Sequence, residues 1–222
     1  MKIAFYSESS ADQAALAVFA EAILGQPPEP TNMPVEGRGK ARVFATLDGV
    51  FRGLHYSSDA EALVVVIDSD DNDLHSADHD ALEIPSGRCD LCTARRIITK
   101  AQRHVKPRQG QPELKVAIGL AVPAIEAWYL VGREHQVGEP AWIVGQRDNC
   151  RPFTCDRLKE IVYKTTRPSL ELETERATTE AHRIISSPGG WQAVAAAFPA
   201  GFGLMAQKIR SWRQDSPPPP TV

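Results

Sequence analysis

Apolar positions along the chain fall into two patterns, short unbroken runs and longer stretches with a helical period. Ile3, Ala4, Phe5 and Tyr6 form the first run, residues 62–67 (Ala-Leu-Val-Val-Val-Ile) the second and residues 114–122 the third. Continuous rather than alternating apolarity predicts strands covered on both faces, as in a parallel sheet. Between the runs, Ala14, Leu16, Ala17, Phe19, Ala20, Ile23 and Leu24 recur at helical spacing until Gly25 and the Pro27-Pro28-Glu29-Pro30 cluster stop the helix. Leu91, Ala94, Ile97, Ile98, Ala101 and Val105 predict a second helix with basic residues between its apolar positions. Pro123 is expected to open a short helix over 124–130, where its missing N–H is not needed.

Other segments carry weaker signals. Residues 26–42 have the Pro/Gly-rich character of a surface loop, 42–46 read as a strand and 47–59 as a mostly helical passage. Helices are expected over 155–164, 173–186 and 190–212, and the four prolines of 217–220 predict a flexible tail. Strand–helix alternation of this kind predicts an α/β fold, with a mostly parallel central sheet flanked by helices in a Rossmann-like arrangement and a C-terminal helical extension. The boundaries drawn from it are an α/β metal-binding domain over 1–135, the extension over 136–214 packed on that domain, and the tail over 215–222. In such sheets binding sites gather beyond the carboxyl ends of the strands.

Three of the predicted strand ends carry acidic residues: Glu8, then Asp68 and Asp70, then Glu126. Carboxylates brought together at one sheet edge repel one another unless a cation neutralises them. Hard oxygen ligands favour Mg²⁺ or Mn²⁺. Strand alternation through Asp68-Ser69-Asp70 is expected to put both carboxylates on one side, leaving Asp71 and Asp73 toward solvent. A calcium loop is excluded, because the glycine and the distal glutamate of an EF-hand are missing from their required positions. No Gly-rich phosphate loop or serine-nucleophile motif is present.

Composition narrows the classes further. With 222 residues, 42% hydrophobic and 24% charged, the chain can bury a core without disulfides. No apolar run reaches bilayer length and no signal-peptide pattern opens the sequence, so a cytoplasmic location is expected. A net charge of −3 gives no global attraction for polyanions, so a nucleic acid would have to meet a local basic patch. Arg95, Arg96 and Lys100, followed by Arg103, Lys106 and Arg108, form one such patch, and Lys159 is a separate candidate.

The four cysteines fall as Cys89-x2-Cys92 and Cys150-x4-Cys155. In a cytosolic chain such pairs point to metal binding rather than disulfides. A structural Zn²⁺ on Cys89, Cys92, Cys150 and Cys155 would require the fold to bring two distant pairs together. His75 and His79 are within reach of a metal site by spacing, but an acidic segment makes exposed loop histidines the expectation. Trp128, Trp142, Trp191 and Trp212 are expected to anchor packing rather than to stack on bases.

A glutamate after the first strand and an Asp-x-Asp after a later one, here Glu8 with Asp68 and Asp70, resembles the Toprim domains of topoisomerases, primases, recombination proteins and small nucleases. Glu126-Ala127-Trp128 after the next strand is similar to small Toprim-like proteins often associated with bacterial defence loci. The resemblance covers residues 1–130; Ser9 stands where Toprim domains commonly carry glycine, and a Pro-rich loop follows the first helix. It implies a Mg²⁺-dependent phosphodiester hydrolase, a nuclease acting on DNA or RNA with a role in antiviral defence. Glu8, Asp68 and Asp70 would be catalytic, Asp68, Asp70 and Glu126 would hold the metal, and Arg95, Arg96, Lys100 or Lys159 would meet the phosphate charge. The alternative from another class is a non-catalytic metal- or partner-binding module of a larger defence complex.

Overall fold

The computed structural model describes residues 1–81, 87–108, 110–133 and 137–213; the predicted Pro-rich tail lies outside them. Strand β1 (Ile3–Tyr6) leads into α1 (Ser10–Leu24), then α2 (Lys40–Ser57), β2 (Ala62–Asp68), the one-turn α3 (Ala77–Asp80), α4 (Asp90–His104) and β3 (Lys115–Ala121). After β3 come the one-turn α5 (Glu126–Tyr129), α6 (Glu139–Arg147), α7 (Cys155–Tyr163), α8 (Leu170–Ser186), α9 (Gly190–Ala197), a π-helical turn at Pro199–Gly203, and α10 (Leu204–Ser211). Among the described residues no helix is long and apolar enough to cross a membrane.

The three strands form one parallel sheet in the order β1-β2-β3, with Tyr6 opposite Val65 and Asp68 opposite Ala121. The unbroken apolarity of β2 has a simple cause: both of its faces are buried. Ala62, Val64 and Val66 join a core made with α1, α8, α9 and α10, whereas Leu63, Val65 and Ile67 join one made with α2 and α4. The first core centres on Phe202, whose ring meets Phe19 and Trp128 edge to face at 5.2 and 5.0 Å. The helices expected as a C-terminal extension therefore supply much of one of the two layers that cover the sheet.

Several local expectations change. The segment 42–46 is not a strand but the start of α2; Val43, Leu47, Phe51 and Leu54 are all buried and recur at helical spacing, which outweighs the β-propensity of Val43 and Phe44. Helix α5 begins three residues after Pro123 rather than at it. The expected helix over 190–212 is interrupted by the Pro199–Gly203 turn, where Pro199 removes a donor and Gly201 packs against the backbone of β3. Helix α6 carried no clear signal in the sequence. Trp128, Trp142 and Trp212 are buried and Trp191 packs on the same core, as anchors of packing.

The Pro-rich segment between α1 and α2 runs along the outer edge of β1. Glu29 makes a single parallel bridge with Lys2, through Ile3 N–H to Glu29 O at 3.2 Å and Glu29 N–H to Met1 O at 3.0 Å. Farther along, Gly37 lies so near the end of β1 that a Cβ there would sit 1.8 Å from Ser7 O.

Candidate functional site

The acidic strand ends meet beyond the carboxyl edge of the sheet. Glu8 follows β1, and its Oε1 accepts the Asp68 N–H at 3.1 Å, tying the ends of β1 and β2 together. Asp68 closes β2, and its Oδ1 accepts the Ile125 N–H at 3.0 Å, which ties β2 to the turn before α5. Glu126, the first residue of α5, is buried, and its Oε2 has no hydrogen-bond partner. Pairing persists past the strands: Ser69 N–H bonds Ala121 O at 2.7 Å and Asp70 N–H bonds Pro123 O at 2.8 Å.

Asp70 departs from the expected geometry. Its φ of 48° ends the strand alternation at Asp68, so the two carboxylates do not stack on one side of a strand. The exposed Asp70 instead forms the outer rim, 2.5 Å from Lys40 Nζ, with the Cys155 thiol directed at its Oδ1 at 3.7 Å. Lys40 also pairs with Asp90 at 3.1 Å. Burial works against the Lys40 charge, but hydrogen bonds to Asp70 and Asp90 outweigh it and raise its pKa. A cleft of about 370 Å³ opens beside this rim, lined by Asp70, Asp71, Pro123, Trp142, Arg151 and Thr154 among others.

Asp12, Glu173, Tyr129 and Tyr163 complete the inner cluster. Asp12 caps α1 reciprocally with Ser9: its N–H bonds Ser9 Oγ at 3.2 Å, and its carboxylate accepts the Ser9 N–H at 3.1 Å. Glycine at position 9 would forgo this box, which explains the serine there. Burial pushes Asp12 up to about 7, helped by the charges of Glu126, Glu173 and Glu8. Burial likewise raises Asp68 well above the carboxylate range, with Glu8, Glu126, Asp12 and Asp70 adding repulsion. Glu8, Glu126 and Glu173 are raised too, each chiefly by burial. Lys159 lowers Glu126 and Glu173, and its own pKa rises because their charges, with that of Asp68, outweigh its burial.

The four basic candidates separate. Lys159 stands beside the carboxylates. Arg95 is engaged with Asp80 at 2.9 Å and lies 3.1 Å from His75 Nε2. Arg96 and Lys100 are exposed one turn apart on α4.

A second constellation lies in the excursion from β2 to α4. His75, His79, Cys89 and Cys92 place one ligand atom each within 4.8 Å of the others. The partners of Cys89 and Cys92 are thus histidines, not the expected Cys150 and Cys155. Cys155 instead faces Asp70 and Cys150 is exposed. The histidines are not loop decorations either: His75 is buried and His79 half-buried. These four side chains can hold a metal ion. Among the described residues, no other set of three or more His, Cys, Asp or Glu is drawn together in this way.

No protein family, curated protein or solved structure matches this chain. The chemistry of both constellations therefore rests on their own geometry.

Lys40, Asp12 and Glu173 went unnoticed in the sequence. Asp12 had a signal in Ser9-x-x-Asp12, a helix-start spacing. Lys40 would have followed from recognising α2; Glu173 had none.

Because the Asp12 pKa is raised from an unfolded value of about 4, the folded state binds its proton more tightly. The stability it contributes is full below pH 4 and is lost as pH rises through about 7. Asp12→Asn should therefore gain in melting temperature over wild type progressively between pH 4 and pH 7, without added divalent ions. A constant difference across that window would remove Asp12 from the buried cluster.

Proposed function

We propose that the chain is a divalent-metal-dependent phosphodiester hydrolase of the Toprim type, acting on nucleic acid, with its centre at the carboxyl edge of the sheet. One observation carries the reading. Glu8 just past β1, Asp68 at the end of β2 and Glu126 at the start of α5 after β3 form, with Asp12 and Glu173, a largely buried array of mutually repelling carboxylates.

The carboxylates offer oxygen to a hard cation, with the Cys155 thiol beside the Asp70 rim, and Glu126 Oε2 is a buried acceptor without a hydrogen-bond partner. Their oxygens are less closely gathered than the His/Cys set, so an ion would have to draw them in. Asp68 and Glu126 would hold Mg²⁺ or Mn²⁺ from the inner side and Asp70 from the rim. A divalent ion bound there would polarise a phosphate oxygen and lower the pKa of a water.

The chain's own residues supply the rest. Glu8, anchored through Oε1 to the Asp68 amide and raised above its ordinary value by burial, is the carboxyl group placed to exchange a proton. Lys159 faces the array and is the group placed to meet charge developing on a phosphate. Lys40 holds Asp70 at the rim. Arg96 and Lys100 on α4, exposed and unengaged with the carboxylates, serve the nucleic-acid backbone.

The purified chain should cut single- or double-stranded DNA or RNA with Mg²⁺ or Mn²⁺ and stop in their absence. Glu8→Gln should slow cleavage by about 100-fold or more. The net charge of −3 favours the second reading, a non-catalytic metal- or partner-binding module. A folded wild type that binds Mg²⁺ yet cuts none of the four substrates would establish that reading instead.

A further inference from the structure

The excursion between β2 and α4 carries residues that the carboxylate site does not use. Cys89 is fully buried at the N-cap of α4, Cys92 is 4% exposed in its first turn, and His75 is 7% exposed. The Nδ1 of His75 lies 3.8 Å from Cys89 Sγ and 3.5 Å from Cys92 Sγ, and the Nδ1 of His79 lies 3.9 Å from Cys92 Sγ. With Zn–S near 2.3 Å and Zn–N near 2.0–2.1 Å, the edges of a tetrahedron are about 3.6 Å between sulfur and nitrogen. The three separations lie within a few tenths of an ångström of that edge.

The surroundings suit a metal as well. Cys89 is the N-cap of the four-turn α4 and Cys92 lies in its first turn, where the helix dipole favours negative sulfur. His75 presents Nε2 to Asp80 Oδ2 at 3.3 Å, the carboxylate–histidine arrangement that fixes a ligating imidazole, while Arg95 holds the other Asp80 oxygen at 2.9 Å. With Nδ1 on a metal, Nε2 keeps its proton and donates to Asp80. Without one, Nε2 can instead accept from Arg95 at 3.1 Å.

We propose that His75, His79, Cys89 and Cys92 bind one structural zinc ion that pins the excursion after β2 to the start of α4. Two sulfurs and two nitrogens select zinc over the hard cations of an all-oxygen site, and four protein ligands close the site, leaving no position for a substrate. Among the described residues, other polar links across this excursion include Asp73 N–H to Arg88 O at 3.2 Å and Asn72 Nδ2 to Asp90 Oδ2 at 2.9 Å. The inference does not depend on the hydrolase reading.

Metal analysis of the full chain, purified without chelator and desalted, tests it. One zinc per chain is expected in wild type and in the Cys150→Ser/Cys155→Ser double variant, and none in Cys92→Ser or His79→Gln. Cobalt(II) exchanged into wild type should show the intense ligand-field bands of a tetrahedral site with thiolate charge transfer. Asp80→Ala should weaken zinc binding by about 10-fold or more. Should Cys92→Ser fail to fold, the half-buried His79→Gln and the wild-type cobalt spectrum decide. Wild type that takes up neither Zn²⁺ nor Co²⁺, yields Cys89 and Cys92 as free thiols or a disulfide, or loses its zinc only in the double variant overturns the proposal.

Discussion

Asp68→Asn is expected to lower metal-dependent cleavage by about 100- to 1,000-fold while leaving the protein at least as stable as wild type. The two effects separate because the side chain does two things. As a hydrogen-bond acceptor, Asp68 Oδ1 satisfies the Ile125 N–H at 3.0 Å, and the amide oxygen of asparagine can take over that bond. As a charge, the carboxylate is raised by burial and by the repulsion of Glu8, Glu126, Asp12 and Asp70. Its folded pKa exceeds the unfolded one, so its ionisation costs stability above about pH 4. In the absence of added divalent ions the variant should match wild type at pH 4 and melt higher at pH 8. Parallel melting curves and cleavage rates on the same samples measure both. A lower melting temperature at pH 8 would mean that Asp68 is a scaffold residue, and the drop in cleavage would then say nothing about chemistry.

Gly201→Ala should be among the most damaging single-methyl additions in the molecule, at about 3 kcal/mol or more by chemical denaturation. A Cβ at this position would lie 1.9 Å from Leu120 O and 3.0 Å from Glu139 Oε1. Neither neighbour can retreat freely. Leu120 belongs to β3, and Glu139 accepts the N–H groups of Ala200 and Gly201 at 2.8 and 2.6 Å. Gly49→Ala in α2 makes the contrast. Nothing lies within 4 Å of that added carbon, so the helix should gain about 0.5–1 kcal/mol. If Gly201→Ala cost less than 1 kcal/mol, the contact between the π-helical turn and β3 would have to be looser than described.

The strands were legible because burial on both faces writes itself into sequence as uninterrupted apolar runs, as in residues 62–67. Helix α1 was legible for the same reason at a different period, together with Gly25, which caps it in the left-handed conformation. Helix α2 was half lost because Val43-Phe44 looks β-like over a short window, and the period declares itself only when Leu47, Phe51 and Leu54 are counted with Val43. Glu8, Asp68 and Glu126 could be singled out as strand ends, since parallel topology forces strand ends to one edge. Asp70 could not be placed, because a positive φ at a single residue overrides alternation and leaves no mark in composition. The cysteine pairs were matched to each other by kind, whereas the fold matches Cys89 and Cys92 to His75 and His79 by proximity. H-x3-H followed by C-x2-C within one excursion was the available clue.

The single bridge between Lys2 and Glu29 also bears on how the molecule behaves among its own copies. An open edge strand is a template for intermolecular pairing, and β1 would otherwise present its unpaired N–H and C=O groups along its whole length. The segment that covers it carries Pro27, Pro28, Pro30 and Pro34, so it can close one bridge but cannot extend a ladder or offer a fresh edge of its own. The Pro-rich loop that seems an interruption of the α/β pattern thus acts as a gatekeeper against aggregation, and shortening it would trade a tidier topology for a sticky one.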